Sequence, residues 1–325
     1  MDLARRTLVV AGNGMVGHKL LEILVERGAT AEWDIVTFCE EPRPAYDRVG
    51  LSSFFAGTSA DDLSLVTPGF FDTMGLTLHL GDSVACVDRA AKEVVSANGV
   101  RVPYDALVLA TGSYPFVPAV PGRDAPGCFV YRTIEDLEAI RDAAAGARVG
   151  AVVGGGLLGL EAANALRSLG LETHVVEFAP RLMPLQVDDG GGSALRRHIE
   201  ELGVVVHTGA ASSEILVGED GRVRGMRFST GQDDLDSDLV VFSAGVRPRD
   251  ELARTAGLEV GERGGVVVDS ACRTSDPDVF AIGECAVAEG RVWGLVSPGY
   301  QMARVVADRI LGGDAVFAGA DLSTK

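Results

Sequence analysis

Cysteine is sparse and unpatterned in this 325-residue chain. Its five cysteines, Cys39, Cys86, Cys128, Cys272 and Cys285, are odd in number and form no C-x-x-C pair. That spacing argues against a disulfide framework and against a thiolate metal centre, so no metal site is expected. Each cysteine is expected to be a small buried hydrophobe. Positive charge is also scarce: 29 Lys and Arg stand against 46 Asp and Glu, a formal net charge of −17. Nucleic acid and anionic membrane are therefore poor partners. Long apolar runs are missing too, with nothing near the ~20 residues that span a bilayer. The short run after Arg5 and Arg6 is broken at once by Gly12, Gly14 and Gly17, unlike a signal peptide. A soluble, cytoplasmic chain without nucleic-acid or membrane partners is expected.

What is present is glycine, 41 residues of it, and some fall in tight clusters. Residues 7–11 (TLVVA) read as a short strand, GNGMVG as a turn and HKLLEILVERG as a helix stopped by glycine. Residues 34–38 (DIVTF) read as the next strand, followed by Glu40. The same unit recurs as RVGAVV (148–153), GGGLLG, LEAANALRSLG and THVVE, ending at Glu177. The chain thus carries a large internal duplication. Between and after the units lie RVPYDALVLATGSYPFVPAVPG (101–122), an acidic hairpin-like segment at 217–238, LVVFSAGVRP (239–248), VFAIGEC (279–285) and a closing helix at 299–313. Proline-rich crossings near 115–122 and Pro248 suggest one domain inserted into another. The expected fold is α/β, with two Rossmann-like, glutathione-reductase-type dinucleotide-binding domains. The expected boundaries are 1–118 with 246–325 for the outer domain and 119–245 for the inserted one.

Gly12, Gly14 and Gly17 match G-x-G-x-x-G between a strand and a helix. The first glycine permits the tight turn, the second admits a pyrophosphate to the backbone, and the third lets helix and strand pack closely. Glu40 follows at about the ~20-residue distance where an acid accepts ribose hydroxyls. Gly154, Gly156 and Gly159 repeat the pattern, with Glu177 in the acid position. A carboxylate there holds a free adenosine ribose and repels a 2′-phosphate, which favours NADH; Arg181 nearby leaves NADPH as the alternative. Two dinucleotide folds in one chain call for a flavin in one and a nicotinamide in the other.

Three further segments resemble a known family. Residues 110–115 (ATGSYP) look like the ATG motif of two-dinucleotide-domain flavoprotein reductases, with Ala110, Thr111 and Gly112 at the cofactor. FSAGVRP (242–248) looks like its counterpart, with Gly245. TSDPDVFAIGEC (274–285) resembles the FAD-ribityl motif, which ends in Gly283 and Glu284. The chain is identified as a member of the pyridine nucleotide-disulfide oxidoreductase-like flavoproteins. More narrowly, GNGMVGHK, FCEEPRPAYDRVGLSS, DLSLVTPGFFD, YRTIEDLEAI, WGLVSPGYQMAR and DLSTK together resemble the N-terminal flavin module of assimilatory NAD(P)H nitrite reductase large subunits. Those proteins carry iron–sulfur and sirohaem domains downstream, for which this sequence has no cysteine spacing. A fragment and a stand-alone homologue both remain open.

The resemblance implies several roles. Glu284 holds the FAD ribityl chain. Arg48 and Arg132 contact FAD, with a surface or inter-domain ion pair as the alternative for each. Ser52 passes beside the flavin. Glu161 reaches toward the nicotinamide and flavin, or is simply a solvated carboxylate in a helix's first turn. The lysine that pairs with such a glutamate in some relatives is Ser53 here. Trp293 precedes the final helix, either beside the flavin or in a structural contact. His18 is expected to be a satisfied surface histidine. Disulfide-reducing relatives place redox cysteines after the first acid, yet residues 41–57 contain none. Electrons are therefore expected to pass from NADH through FAD to downstream iron–sulfur and sirohaem centres for nitrite reduction. The alternatives are a small iron–sulfur acceptor in a rubredoxin or ferredoxin reductase, an oxidase-like use of oxygen, or a regulatory nucleotide-binding protein without turnover.

Overall fold

The computed structural model describes residues 5–320; the DLSTK pentapeptide at 321–325 lies outside the described residues. The chain divides into two compact units. One comprises the segments up to Asp47, Ser64–Tyr114 and from Arg247 onward, and the other comprises Arg48–Leu63 and Pro115–Val246. The expected scheme assigned residues 48–63 to the outer domain, but they cluster with the inserted one. Their short 3-10 helix, Leu51–Ala56, packs on the helices Ile134–Ala144 and Leu157–Ser168.

The first unit is built on a five-stranded parallel sheet ordered Val279–Ala281, Ala106–Leu109, Arg6–Ala11, Trp33–Cys39 and Thr77–Leu80. Its central strands are continuous apolar runs, because a parallel sheet hides both faces. Leu8, Val9, Val10, Leu107 and Val108 are fully buried. Alternation is therefore missing from the sequence, and the runs are short because each strand need only cross one core.

The second unit repeats the plan. Its parallel sheet runs Val204–Thr208, Glu172–Glu177, Val149–Val153, Leu239–Phe242 and Cys128–Val130. Each unit adds a three-stranded antiparallel sheet: Val84–Asp88, Glu93–Ser96 and Arg101–Pro103 in the first, Ser212–Val217, Val223–Phe228 and Leu235–Asp236 in the second. The acidic hairpin thus begins before 217, its first strand being Ser212–Val217.

The duplication reaches small details. Asp105 accepts from the Thr7 backbone N–H at 2.7 Å in the first unit. Asp238 accepts from Arg148 and Val149 at 2.7 and 3.0 Å in the second. Each carboxylate secures the amino end of the strand that leads into its glycine turn, leaving the carboxyl end free of such ties. These backbone donors hold the Asp238 carboxyl below its ordinary range.

Helices start earlier than periodicity suggests. The first glycine helix is Met15–Glu26, the second Leu157–Ser168 and the closing helix Val296–Ile310. In each case the glycines or Pro298 form part of the first turn, where a missing side chain or N–H costs little. Among the described residues no helix is long and apolar enough to cross a membrane.

Candidate functional sites

The two glycine turns have nearly the same backbone. Gly12 and Gly154 adopt φ of +119° and +121°, a region open to glycine. A Cβ on Gly12 would collide with the Ala110 carbonyl oxygen, and one on Gly154 with that of Ser243. A Cβ on Gly17 or Gly159 would strike the carbonyl of the first glycine of its own turn. Gly14 and Gly156, in contrast, would meet nothing within 4 Å. The first and third glycines are therefore fixed by packing, and the second keeps the approach to the backbone clear. Each turn is pinned by one bond to the next strand: Gly12 N–H to Phe38 at 3.0 Å, and Gly154 N–H to Val176 at 2.8 Å.

Capping separates these helices from two others. The helix Ile134–Ala144 has a Thr133–Asp136 capping box, and Asp189–Glu201 is capped by the Asp188 side chain. The two glycine helices begin at Gly14 and Gly156 with no side-chain cap, as does Val296–Ile310 at Leu295. Their first N–H groups are left to whatever anion reaches the turn.

In the first unit a cavity of about 280 Å³ opens at the carboxyl end of the sheet. Gly12, Glu40, Thr111, Ser83, Leu252 and Arg249 are among its lining residues. Glu40 edges this cavity and pairs with Arg249. The ATG segment underlies the turn: Ala110 N–H bonds Ala11 at 2.9 Å, and Gly112, at φ +70°, accepts from Arg249 N–H at 2.9 Å. Thr111 Oγ1 donates to the Arg249 carbonyl at 2.7 Å. These two bonds fix the backbone from which the guanidinium reaches Glu40. Arg249 went unnoticed in the sequence because its pairing spans most of the chain. Gly283 (φ +77°) opens the turn carrying Glu284, whose carboxylate accepts from Ser113 Oγ at 2.6 Å.

One expectation fails in this unit, and Trp293 makes the contacts of its structural alternative. Trp293 is 5% exposed, donates its indole N–H to Ala288 at 3.1 Å and meets Phe317 edge-on at 5.5 Å. It serves the core, because its one polar atom is already committed to the backbone. His18 is 2% exposed, not a surface residue. Its Nε2 bonds the Leu65 carbonyl at 3.2 Å, its ring meets Phe70 edge-on, and its Nδ1 has no partner among the described residues. Burial pushes its pKa down, partly opposed by Glu22. The cysteine expectation also fails in part: Cys39, Cys272 and Cys285 are buried, but Cys128 is only half-buried and Cys86 is exposed. Cys39, next to Glu40, donates its thiol to the Arg43 carbonyl at 3.3 Å.

In the second unit Glu177 is held on both oxygens, by Gly155 N–H at 2.6 Å and Ala179 N–H at 2.7 Å. Arg181 turns away to its own loop, donating to Val187 at 3.0 Å, Pro184 at 3.4 Å and Asp189 at 2.7 Å. Gly245 (φ +102°) is exposed, and its carbonyl accepts from Phe116 N–H at 2.8 Å. Arg48 Nη1 donates to the Arg132 carbonyl at 2.8 Å, so the structure brings these two predicted residues together. Ser53 closes its own turn on Gly50 at 2.6 Å. Half-buried Glu161 has its carboxyl raised by desolvation. Close to it is Tyr131, which is 5% exposed and stacked with Phe55 at 6.3 Å. Burial, then the Glu161 charge, push this phenol far above its ordinary range, with Ser52 acting the other way. Tyr131 was missed because a tyrosine before an Arg-Thr cap carries no local functional signal.

Comparison with known proteins agrees with this geometry. Residues 6–305 match the family model described as pyridine nucleotide-disulphide oxidoreductase. The nitrite reductase [NAD(P)H] large subunit of Klebsiella oxytoca is 56% identical over 99% of this chain and 33% of its own length. The nitrite reductase (NADH) large subunit of Escherichia coli K12 is 52% identical over 99% of this chain and 38% of its own length. The chain thus spans about a third of these curated relatives. Among solved structures, the ferredoxin reductase for the CYP199A2 system of Rhodopseudomonas palustris superposes with a TM-score of 0.90 at 32% identity, covering 97% of this chain and 78% of that one. With the doubled nucleotide fold and the match along nearly its whole length, this chain belongs to the pyridine nucleotide-disulphide oxidoreductase family of oxidoreductases.

Proposed function

We propose that the chain is the FAD-containing NADH dehydrogenase module of a cytoplasmic assimilatory nitrite reductase, delivering electrons to iron–sulfur and sirohaem centres carried elsewhere. The single observation that supports it most is the doubled glycine turn, each with its acid in place, in a chain lacking redox cysteines between residues 41 and 57. Likeness to the two nitrite reductase subunits along 99% of the chain supports the choice of acceptor.

The residues fit both nucleotides. The uncapped helix at Gly14, the open face of Gly14 and the cavity edged by Glu40 suit the adenosine and pyrophosphate of FAD. Glu284, fixed by Ser113, suits the ribityl hydroxyls. The turn at Gly154, Gly156 and Gly159 suits the pyrophosphate of NADH, and Glu177 its adenosine ribose. When bound, the two supply hydride transfer from nicotinamide to flavin and onward release of single electrons.

The protein's part is binding, orientation and proton control. Glu177 is oriented by two backbone donors, so it is placed to accept from a free ribose and to repel a 2′-phosphate. Arg181, engaged by its own loop, is not poised to receive that phosphate, which favours NADH. Glu161, half-buried beside the neutral Tyr131 phenol, has its carboxyl raised by desolvation, which suits it to hold a proton more readily than an exposed glutamate. Ser53, bonded to Gly50, does not take the part of a lysine partner.

The test is spectroscopic and kinetic. The isolated chain, loaded with FAD, should reduce an artificial dye with NADH and leave nitrite untouched. Nitrite turnover without added metal centres would overturn the division of labour. The second reading, a reductase for a separate iron–sulfur protein, draws on the likeness to a ferredoxin reductase. Rapid reduction of added ferredoxin or rubredoxin, at rates matching the dye, would favour it.

A further inference from the structure

Asn13 lies between Gly12 and Gly14, at the position the glycine fingerprint leaves open. It is 4% exposed, which is unusual for an asparagine. Its Oδ1 accepts from the Ala45 backbone N–H at 3.1 Å. Ala45 in turn accepts from Leu65 N–H at 3.0 Å, and Ala45 and Tyr46 are both buried. Asn13 therefore ties the glycine turn to the loop that runs on from Glu40.

That bond also fixes which way the amide faces. A backbone N–H needs an oxygen, so the oxygen takes the Ala45 side and the NH2 group takes the other. Nδ2 is buried and has no partner among the described residues. An unmade bond on a buried amide carries a desolvation cost that a fold rarely leaves standing. A chain without a ligand role here could seat serine or alanine at the same turn. The neighbouring group that reaches this turn is the dinucleotide, whose phosphate and sugar oxygens are acceptors only or hydroxyls.

We infer that Asn13 is a cofactor-binding residue, donating Nδ2–H to an oxygen of the dinucleotide in the first fold while its Oδ1 holds the 41–47 loop closed. The inference rests on FAD occupying that fold. One side chain thereby couples occupancy of the phosphate turn to the order of the loop carrying Glu40 toward Arg48. The donor acts on a ligand oxygen and takes no part in electron transfer.

Asn13→Asp separates the two jobs. It keeps an oxygen for Ala45 and replaces the donor by an acceptor. Apoprotein of the 325-residue chain is titrated with FAD by flavin fluorescence at pH 8 and at pH 5.5, alongside thermal melting of each apoprotein. The expected result is FAD binding weakened about tenfold or more at pH 8, with the gap to wild type narrowing at pH 5.5 as the carboxyl gains a proton and can donate again. The apoprotein should melt within a few degrees of wild type. Equal FAD affinity of the variant and wild type at both pH values would overturn the inference. If the aspartate prevents folding, the crystal structure of wild-type chain loaded with FAD decides: Nδ2 within about 3.2 Å of a FAD oxygen supports the inference, and Nδ2 bonded only to water or protein overturns it. Wild-type chain that binds no FAD would instead contradict the FAD reading itself, which separates the two failures.

Discussion

The first and second glycine turns are near copies in backbone, yet their acids are held in opposite ways. Glu40 is 58% exposed in its side chain and pairs with another partly exposed side chain, Arg249. Glu177 is fixed by two backbone N–H groups within its own turn and the following loop. A backbone clamp sets geometry independently of salt and rotamer entropy, whereas an exposed ion pair is weak and easily rearranged. Under the proposed function, the first acid can rearrange its pairing as FAD binds, and the second offers NADH a fixed template. The orphaned amide of Asn13 has no equivalent in the second turn, where Gly155 stands in its place and leaves room for Glu177 to reach in. A Cβ on Gly155 would lie 2.9 Å from the Glu177 Cβ, so the second turn needs a glycine where the first holds an asparagine.

Breaking each turn in its third glycine should have the largest effect. Gly17→Val and Gly159→Val both drive a side chain into a backbone carbonyl, at a cost on the order of 3 kcal/mol or more. The first should abolish the yellow flavin spectrum. The second should leave the flavin in place and remove its bleaching by NADH. Loss of flavin in both would mean that the units do not bind their nucleotides separately.

Next in size is Glu161→Gln, expected to slow NADH-driven flavin bleaching about 100-fold in stopped flow while leaving FAD content unchanged. An unaltered rate removes Glu161 from the chemistry. Glu177→Gln keeps an acceptor and loses the charge. The NADH over NADPH ratio of kcat/KM should drop roughly tenfold, and an unchanged ratio would detach Glu177 from coenzyme choice. Arg249→Gln should weaken FAD only a few-fold in the same fluorescence titration, since an exposed pair is worth under ~1 kcal/mol; a loss as large as that from Gly17→Val would make Arg249 a principal anchor.

The smallest expected effect is a pH dependence in the first unit. The His18 pKa in the fold lies below its ordinary 6.5. The stabilisation from burying neutral His18 is therefore full above about pH 6.5 and is lost as pH falls through the lowered folded value. His18→Phe should flatten the fall in melting temperature between pH 7 and pH 5. An unchanged slope would assign acid lability elsewhere.

The doubled fold was legible because its signals are local: strand, three glycines, helix and acid all lie within one stretch. The Glu284 turn and the ATG segment were singled out only through their resemblance to family motifs. What escaped depends on partners far along the chain. Arg249 reaches Glu40 across most of the sequence, and Tyr131 meets Ser52 from a separate segment. His18 looked solvent-facing because Phe70 and Phe71, which cover it, arrive from a later short helix, Phe70–Met74. For Trp293 the sequence left a ligand platform and a structural contact both open, because it hides that the N–H bonds Ala288. Residues 48–63 follow Glu40 in the chain, yet cluster with the other unit, since sequence order does not say which core a short helix joins.

The most direct measurement is an anaerobic titration of the FAD-loaded chain with NADH, followed at the flavin absorption band. Stoichiometric bleaching by about one equivalent of NADH, with nitrite unable to restore the colour and an artificial dye restoring it at once, is the expected result. A flavin band that persists with excess NADH, or that nitrite alone restores, would contradict an NADH-to-flavin module with an external acceptor.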